Sequence, residues 1–325
     1  MWRFLLRRLA QSVAVVFLVT TATFVLIHLA PGDPFESAFS NPKLSDAIRE
    51  KWRAQYGFDR PIVEQYVRYL GTIAKGDLGY SFSTNRPVTD ALAETLPNTL
   101  VLMSAALFGS FLIGIGVGVT QAVKRGRAAD RILGLMSLVF YSLPDFWLAV
   151  VVLLSFAYWI PILPAGGAVD VVMHPYMNGF EQILDRLRHL ILPALTLTAL
   201  TAAAIARHQR SAMLEVLNDD FVRTARAKGA AESRVLFHHA LRNALLPVIT
   251  LFGLYFPALL GGAVLVERVF SWPGMGQLTL NALSLRDYPL VVASAIVASV
   301  MVALGGLIAD TLAALVDPRM RSDAT

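Results

Sequence analysis

Six mostly apolar stretches dominate this chain, over 9–29, 97–123, 132–160, 189–206, 247–266 and 290–316. A helix needs roughly 20 such residues to cross the hydrocarbon core of a bilayer. The stretches therefore predict an all-α membrane protein with six transmembrane helices. None alternates apolar and polar residues along its length, which argues against an outer-membrane barrel. Composition agrees: 56% of the residues are apolar and only 16% charged, against about 25% charged in soluble domains. There is no cysteine, so no disulfide framework and no sulfur-based metal site is expected.

Arg3, Arg7 and Arg8 precede the first stretch, as in a secretory signal. Its apolar run exceeds the core of about 7–15 residues that such signals use, so it is read as an uncleaved first span. The net charge of +5 is read as a bias across the bilayer rather than as a nucleic-acid footprint. Basic residues gather at the amino terminus, in 124–131 (Lys124, Arg125, Arg127, Arg131), in 207–246 (Arg207, Arg210, Arg223, Arg226, Lys228, Arg234, Arg242) and in the tail (Arg319, Arg321). Six spans put these four segments on one side, and basic short loops mark that side as cytoplasmic. Both termini are thus expected inside. The expected organisation is an N-terminus and first span (1–30), an extracytoplasmic helical segment (31–96), a five-span core (97–316) and a cytoplasmic tail (317–325).

Within 31–96, Ser45 is a candidate cap for a helix carrying Ile48, Trp52 and Tyr56 and ending at Gly57. Pro61 suits a first helical position, and Ile62, Tyr66, Leu70 and Ile73 follow at helical spacing. Two short amphipathic helices on the span tops are predicted, serving either as a structural cap or as a dock for an external partner.

Segment 207–246 is far longer than the usual helix–helix connection of about 2–8 residues. Asn218, Asp219 and Asp220 are good caps for a helix from Phe221. Gly229 interrupts it, and Ser233 is a candidate cap for a second helix running toward Pro247. Three readings stand: an interfacial helix on anionic lipid, a solvated connector, or a rigid element seated in a partner protein. The small residues Ala225, Ala227, Gly229, Ala230 and Ala231 fit the third.

The run Asp219-Asp220-Phe221-Val222-Arg223-Thr224-Ala225-Arg226-Ala227-Lys228-Gly229 resembles the coupling-loop motif of ABC importer permeases. The continuation His239-Ala240-Leu241-Arg242-Asn243-Ala244-Leu245-Leu246-Pro247 resembles the dipeptide, oligopeptide and nickel permease group, whose glycine-to-Leu-Pro gap is longer than in other ABC permeases. Further resemblances are Ala30-Pro31-Gly32-Asp33-Pro34, Gly76-Asp77-Leu78-Gly79, Ile191-Leu192-Pro193-Ala194, Arg210-Ser211-Ala212-Met213-Leu214-Glu215-Val216-Leu217 and Phe270-Ser271-Trp272-Pro273-Gly274-Met275-Gly276. Together they cover nearly the whole chain in one order.

The resemblance implies the type I importer permease fold and a B-type subunit that moves peptides or related small solutes by alternating access. It implies a homologous second permease, two cytoplasmic ATPases holding ATP and Mg, and an extracytoplasmic solute-binding protein. Nickel complexes and glutathione are the alternative cargoes. The expected ATPase contacts are Asp220, Arg223, Ala225, Arg226, Lys228 and Gly229, with Ala225 and Gly229 as close-packing positions.

The chain has no phosphate-binding loop and no nucleophile elbow, so no cofactor and no enzymatic activity is expected in it. His238 and His239 are adjacent, and neighbours on a helix point about 100° apart, poor geometry for a metal. A membrane enzyme thus lacks a catalytic set. A stand-alone secondary transporter lacks paired acidic residues on broken repeats.

An ionisable residue inside a span faces a cavity, a partner or the bundle interior. Asp145, in the third stretch behind Pro144, is a candidate for the translocation path, where it would favour a substrate ammonium group. The competing reading is a carboxyl group satisfied within the bundle. Asp310, Glu267 and Arg268 read as bundle or interface pairs. Ser110, Gly114 and Gly118 form a small-residue stripe for close helix contact, against either this chain or a sister subunit.

Overall fold

A computed structural model describes residues 2–29 and 60–316. In chain order the elements are α1 (Trp2–Leu29), α2 (Ile62–Ala74), the antiparallel ribbon β1 (Tyr80–Ser81) and β2 (Arg86–Pro87), α3 (Val88–Val123), α4 (Ala128–Ser142) and α5 (Asp145–Trp159). There follow a 3-10 turn (His174–Tyr176), α6 (Gly179–Val216), α7 (Asp220–Ala227), α8 (Glu232–Ala244), α9 (Leu246–Val269), α10 (Met275–Ser284) and α11 (Tyr288–Val316). Among the described residues four helices, α1, α3, α6 and α11, are each long and apolar enough to cross a membrane. Counting each bent pair, α4 with α5 and α8 with α9, as one span gives six.

Several boundaries differ from the sequence expectation. The second span begins at Val88 rather than at Pro97, because Asp90 and Glu94 lower the hydropathy of turns whose other face is buried. Val88, Ala91 and Leu92 pack on Met275, Ala282, Leu290 and Ala293. The fourth span begins ten residues before His189, at a capping box that hydropathy does not register. Asn178 Oδ1 accepts the backbone N–H groups of Phe180 (3.1 Å) and Glu181 (3.0 Å), while Glu181 accepts that of Asn178 (3.0 Å). The same helix runs on to Val216, so Arg207 and Arg210 end the apolar run without ending the helix.

The third span is broken. Leu143 and Pro144 are both extended, with ψ of 138° and 137°, and the helices on either side meet at 107°. The residue before a proline disfavours helical geometry, and proline lacks the N–H that would continue the ladder. In α2, Pro61 occupies the cap position rather than the first helical one. α2 packs on α1 through Phe24, whose ring lies 5.2 Å from those of Tyr66 and Tyr69. The helix expected over 45–57 lies outside the described residues.

The small-residue stripe faces this chain's own α6. A methyl group on Gly114 would lie 2.7 Å from Ile205 Cβ, and one on Gly118 would lie 2.6 Å from the Ala206 carbonyl oxygen. The helix backbones can approach this closely only without those side chains. Leu102, Met103 and Ala106 of α3 then join Leu148 and Val152 of α5, Leu192 of α6 and Val266 of α9 in the main core.

Candidate functional site: the segment between the fourth and fifth spans

α7 is amphipathic over only eight residues, so its position depends on what it buries. Val222 is fully buried and Ala225 half-buried, three residues apart on one face, against Ala122, Met213, Val235, Ala240 and Ala244. Phe221, Arg223, Thr224, Arg226 and Lys228 face outward. The predicted cap acts through its backbone: the Asp219 carbonyl accepts the N–H groups of Val222 and Arg223, with no side-chain cap bond.

α7 ends in a Schellman turn. The Gly229 N–H bonds the Arg226 carbonyl (2.9 Å), and the Ala230 N–H reaches back to Ala225 (3.2 Å). Gly229 has φ of +78°, a region that costs a residue with a side chain roughly 1–2 kcal/mol. Among the described residues nothing beyond its chain neighbours comes within 4 Å of the place where its Cβ would be. Glycine is thus required here by the turn, not by crowding within the chain. Ala225 packs against its own chain's cluster.

Across the turn, Arg226 Nη2 donates to Glu232 Oε1 (2.7 Å) and Nε to Oε2 (3.2 Å), tying α7 to α8. Asp220 and Arg223 make a loose exposed pair at 3.7 Å. The second helix starts at Glu232, capped by Ala231, so Ser233 lies inside it rather than capping it.

Below this segment lies a contact that sequence reasoning missed. Arg210 of α6 donates from Nε and Nη2 to the two carboxylate oxygens of Asp130 at the start of α4, at 2.9 and 3.1 Å. The Gly126 N–H donates to the same carboxylate at 3.0 Å. The pair fixes the turn between α3 and α4 against the root of α7. A second missed contact sets the Arg207 guanidinium carbon 4.9 Å from the centre of the Tyr141 ring, within cation–π range.

Asp145 stands apart from this segment. It occupies the first turn of α5, directly after the bend, is half-buried, and accepts the Phe146 N–H at 2.9 Å. An acidic group there is favoured by the helix dipole.

The opposite end of the bundle holds three buried carboxylates. Glu267 accepts from Thr99 Oγ1 (2.8 Å) and the Gln277 N–H (3.1 Å). A Cβ on Gly274 would collide with the Glu267 carboxylate at 2.3 Å, which explains the glycine in the Trp-Pro-Gly motif. Glu267 and Arg268 do not pair with each other; Arg268 donates to Asn281 instead (3.0 Å). Asp287 accepts from the hydroxyls of Ser81 (2.6 Å) and Ser83 (2.7 Å), joining the β ribbon to α11. Asp185 accepts the Asp170 N–H (3.0 Å) and lies 2.7 Å from His174 Nδ1 and 3.2 Å from His189 Nδ1. Among the described residues no group of His, Asp and Glu could hold a metal ion.

A multi-pass helical bundle that presents a short amphipathic helix between two of its spans has the architecture of a transport permease. The chain belongs to the binding-protein-dependent transport system inner membrane component family, whose model matches residues 110–322, with the family's N-terminal model matching 1–103. It is therefore a multi-pass inner-membrane subunit of an ABC importer. It is 40% identical over 318 residues, 98% of both chains, to the oligopeptide transport system permease protein AppB of Bacillus subtilis. It is 41% identical over 334 residues, 99% of both chains, to the di/tripeptide transport system permease protein DppB of Pseudomonas aeruginosa. A chain of the methionine ABC transporter MetNI, solved in inward-facing conformations, shares the fold with a TM-score of 0.54 and 21% identity, covering 70% of this chain and 96% of that one.

Proposed function

We propose that this subunit forms half of the pathway of an ATP-driven peptide importer. It works with a homologous second permease, two cytoplasmic ATPases that bind and hydrolyse ATP with Mg, and an extracytoplasmic solute-binding protein. End-to-end likeness to permeases named for oligopeptides and di/tripeptides supports the cargo. The observation that carries the coupling role is the one-sided burial of α7. Val222 and Ala225 anchor it to the bundle, which leaves Phe221, Arg223, Arg226 and Lys228 as the face a partner meets.

In this reading 217–245 and both termini are cytoplasmic, in line with the basic bias of these segments. Asp220, Arg223, Arg226, Lys228 and Gly229 form the ATPase contact, while Ala225, expected among these contacts, holds α7 to the bundle. ATP-driven closure of the two ATPases moves α7, and α7 moves α6 and α8 because its anchor residues pack on both. The cycle requires only that ATP favour one of two bundle arrangements over the other. Asp145, next to the break in the third span, lines the path and attracts the cargo's ammonium group.

The test is reconstitution of the importer in liposomes with its binding protein. ATP-dependent uptake of short peptides is expected. Uptake without the ATPases overturns the coupling reading. Uptake of glutathione or nickel chelates in place of peptides overturns the cargo.

A further inference from the structure

A slot runs between α3, α4 and α6, with a volume of about 180 Å³. Val117 forms part of its α3 wall, and Leu133 and Met136 part of its α4 wall; Ala199, Ala203 and Ala206 line the α6 side. Bulky side chains on one wall and methyl groups on the other leave the gap. No ionisable side chain lines it. The slot opens outward between apolar side chains, with Ile113 and Met136 of its lining about half exposed. A gap in a hydrocarbon-facing surface loses dispersion contacts on its lining unless something fills it.

The chemistry changes abruptly at one end. Three residues from Leu133 stands Asp130, and four residues from Ala206 stands Arg210, and these two are the bidentate pair described above. Asp130 occupies Nε and Nη2, which leaves Arg210 Nη1 for another acceptor. The adjoining turn exposes Lys124, Arg127 and Arg131, and among the described residues none of them has a carboxylate within ion-pair distance. Asp130, the one acid in 124–131, is already committed to Arg210 and the Gly126 N–H. An apolar slot that ends in a surplus of cations matches one ligand chemistry: a flexible hydrocarbon chain with an anion at its end.

We propose that this slot is a binding site for an anionic phospholipid, with one acyl chain between α4 and α6 and the phosphate at the Arg210, Lys124, Arg127 and Arg131 end. Clusters of Lys and Arg beside a span attract acidic headgroups, and the slot converts that diffuse attraction into a site. The lipid then braces α4 against α6 next to the segment that carries α7.

The complete importer is placed in nanodiscs of phosphatidylcholine mixed with phosphatidylglycerol, stripped with mild detergent, and its retained lipids are counted by native mass spectrometry. Wild type is expected to retain phosphatidylglycerol over phosphatidylcholine. The variant Lys124→Gln/Arg127→Gln/Arg131→Gln is expected to lose at least about tenfold of that preference, since three of the four cations at that end are then gone. Ala199→Phe fills the slot and is expected to release the lipid. The charge variant changes only exposed side chains, so it remains decisive if Ala199→Phe fails to assemble. A photo-crosslinking residue in place of Leu133 is expected to capture lipid. Equal retention of the two lipids, an unchanged preference in the charge variant, or a Leu133 crosslink to the second permease overturns the proposal.

Discussion

Arg210 and Asp130 are 80 residues apart in sequence, yet they meet through two parallel hydrogen bonds of 2.9 and 3.1 Å. Planar two-point contacts of this kind fix orientation as well as distance. Lysine keeps the charge of Arg210 but cannot form the fork. Arg210→Lys is therefore expected to keep the importer assembled while lowering ATP-driven uptake. Arg210→Ala is expected to lower uptake further and to reduce thermal stability. Uptake per assembled complex measures both, and equal uptake in wild type and Arg210→Ala would show that the pair does not position the segment that carries α7.

Gly118 touches the Ala206 carbonyl region so closely that no Cβ fits. Gly118→Val is expected to separate α3 from α6 at a cost of about 1–3 kcal/mol or more. The melting temperature of the purified subunit should fall. Gly116, two residues away with open space around its Cβ position, is the matched control, and Gly116→Ala should leave the melting temperature nearly unchanged.

Gly229→Ala puts a side chain at φ of +78°. The expected cost is roughly 1–2 kcal/mol, confined to the Schellman turn. Hydrogen exchange should rise at 229–231 while the spans stay protected. Uptake should fall more than subunit stability does, because the strain falls where α7 meets α8.

Thr99 Oγ1 donates to Glu267 and accepts the Met275 N–H (2.8 Å). Thr99→Val keeps the shape but leaves both partners short of a bond. A loss of about 1–3 kcal/mol is expected, read as a lower melting temperature. Thr99→Ser should restore most of it.

Asp170 gives a pH dependence with a defined sign. The N–H groups of Met173 and Val172 hold its carboxyl below the ordinary carboxylate range, and the nearby His189 and His174 lower it further. A depressed value means that the ionised group stabilises the loop above its unfolded-state pKa, and that this support disappears as pH falls through the lowered value. Amide protection factors at residues 172–174, corrected for the intrinsic pH dependence of exchange, should therefore stay constant around neutrality and drop only in acid, below about pH 4. In Asp170→Ala they should be low at every pH.

The sequence made the spans legible because a bilayer requires a long apolar run wherever a helix crosses it. It made the turn at Gly229 legible because few residues other than glycine accept that backbone geometry. The first turns of two spans escaped, since 88–96 and 179–188 are held by one-sided burial and a capping box. The break after Ser142 was signalled by Pro144, but its 107° angle depends on tertiary packing. Glu267 was expected to sit in a bundle pair. Its actual partners, the Thr99 hydroxyl on α3 and the Gln277 N–H on α10, lie on two other elements, and no spacing along the chain connects them. The face of the Ser110–Gly118 stripe could be assigned only once α6 was seen against it.

α6 is one unbroken helix of 38 residues, about 57 Å long at the standard rise, nearly twice the roughly 30 Å of hydrocarbon it must cross. Its first turns are pinned to the Asp185 contacts with His174 and Asp170, and its last turns to Arg210, Asp130 and the anchor of α7. The helix runs on through Pro193, where the backbone ladder lacks an N–H donor. A displacement at one membrane surface therefore reaches the other either as a tilt of the whole helix or as a bend at that proline.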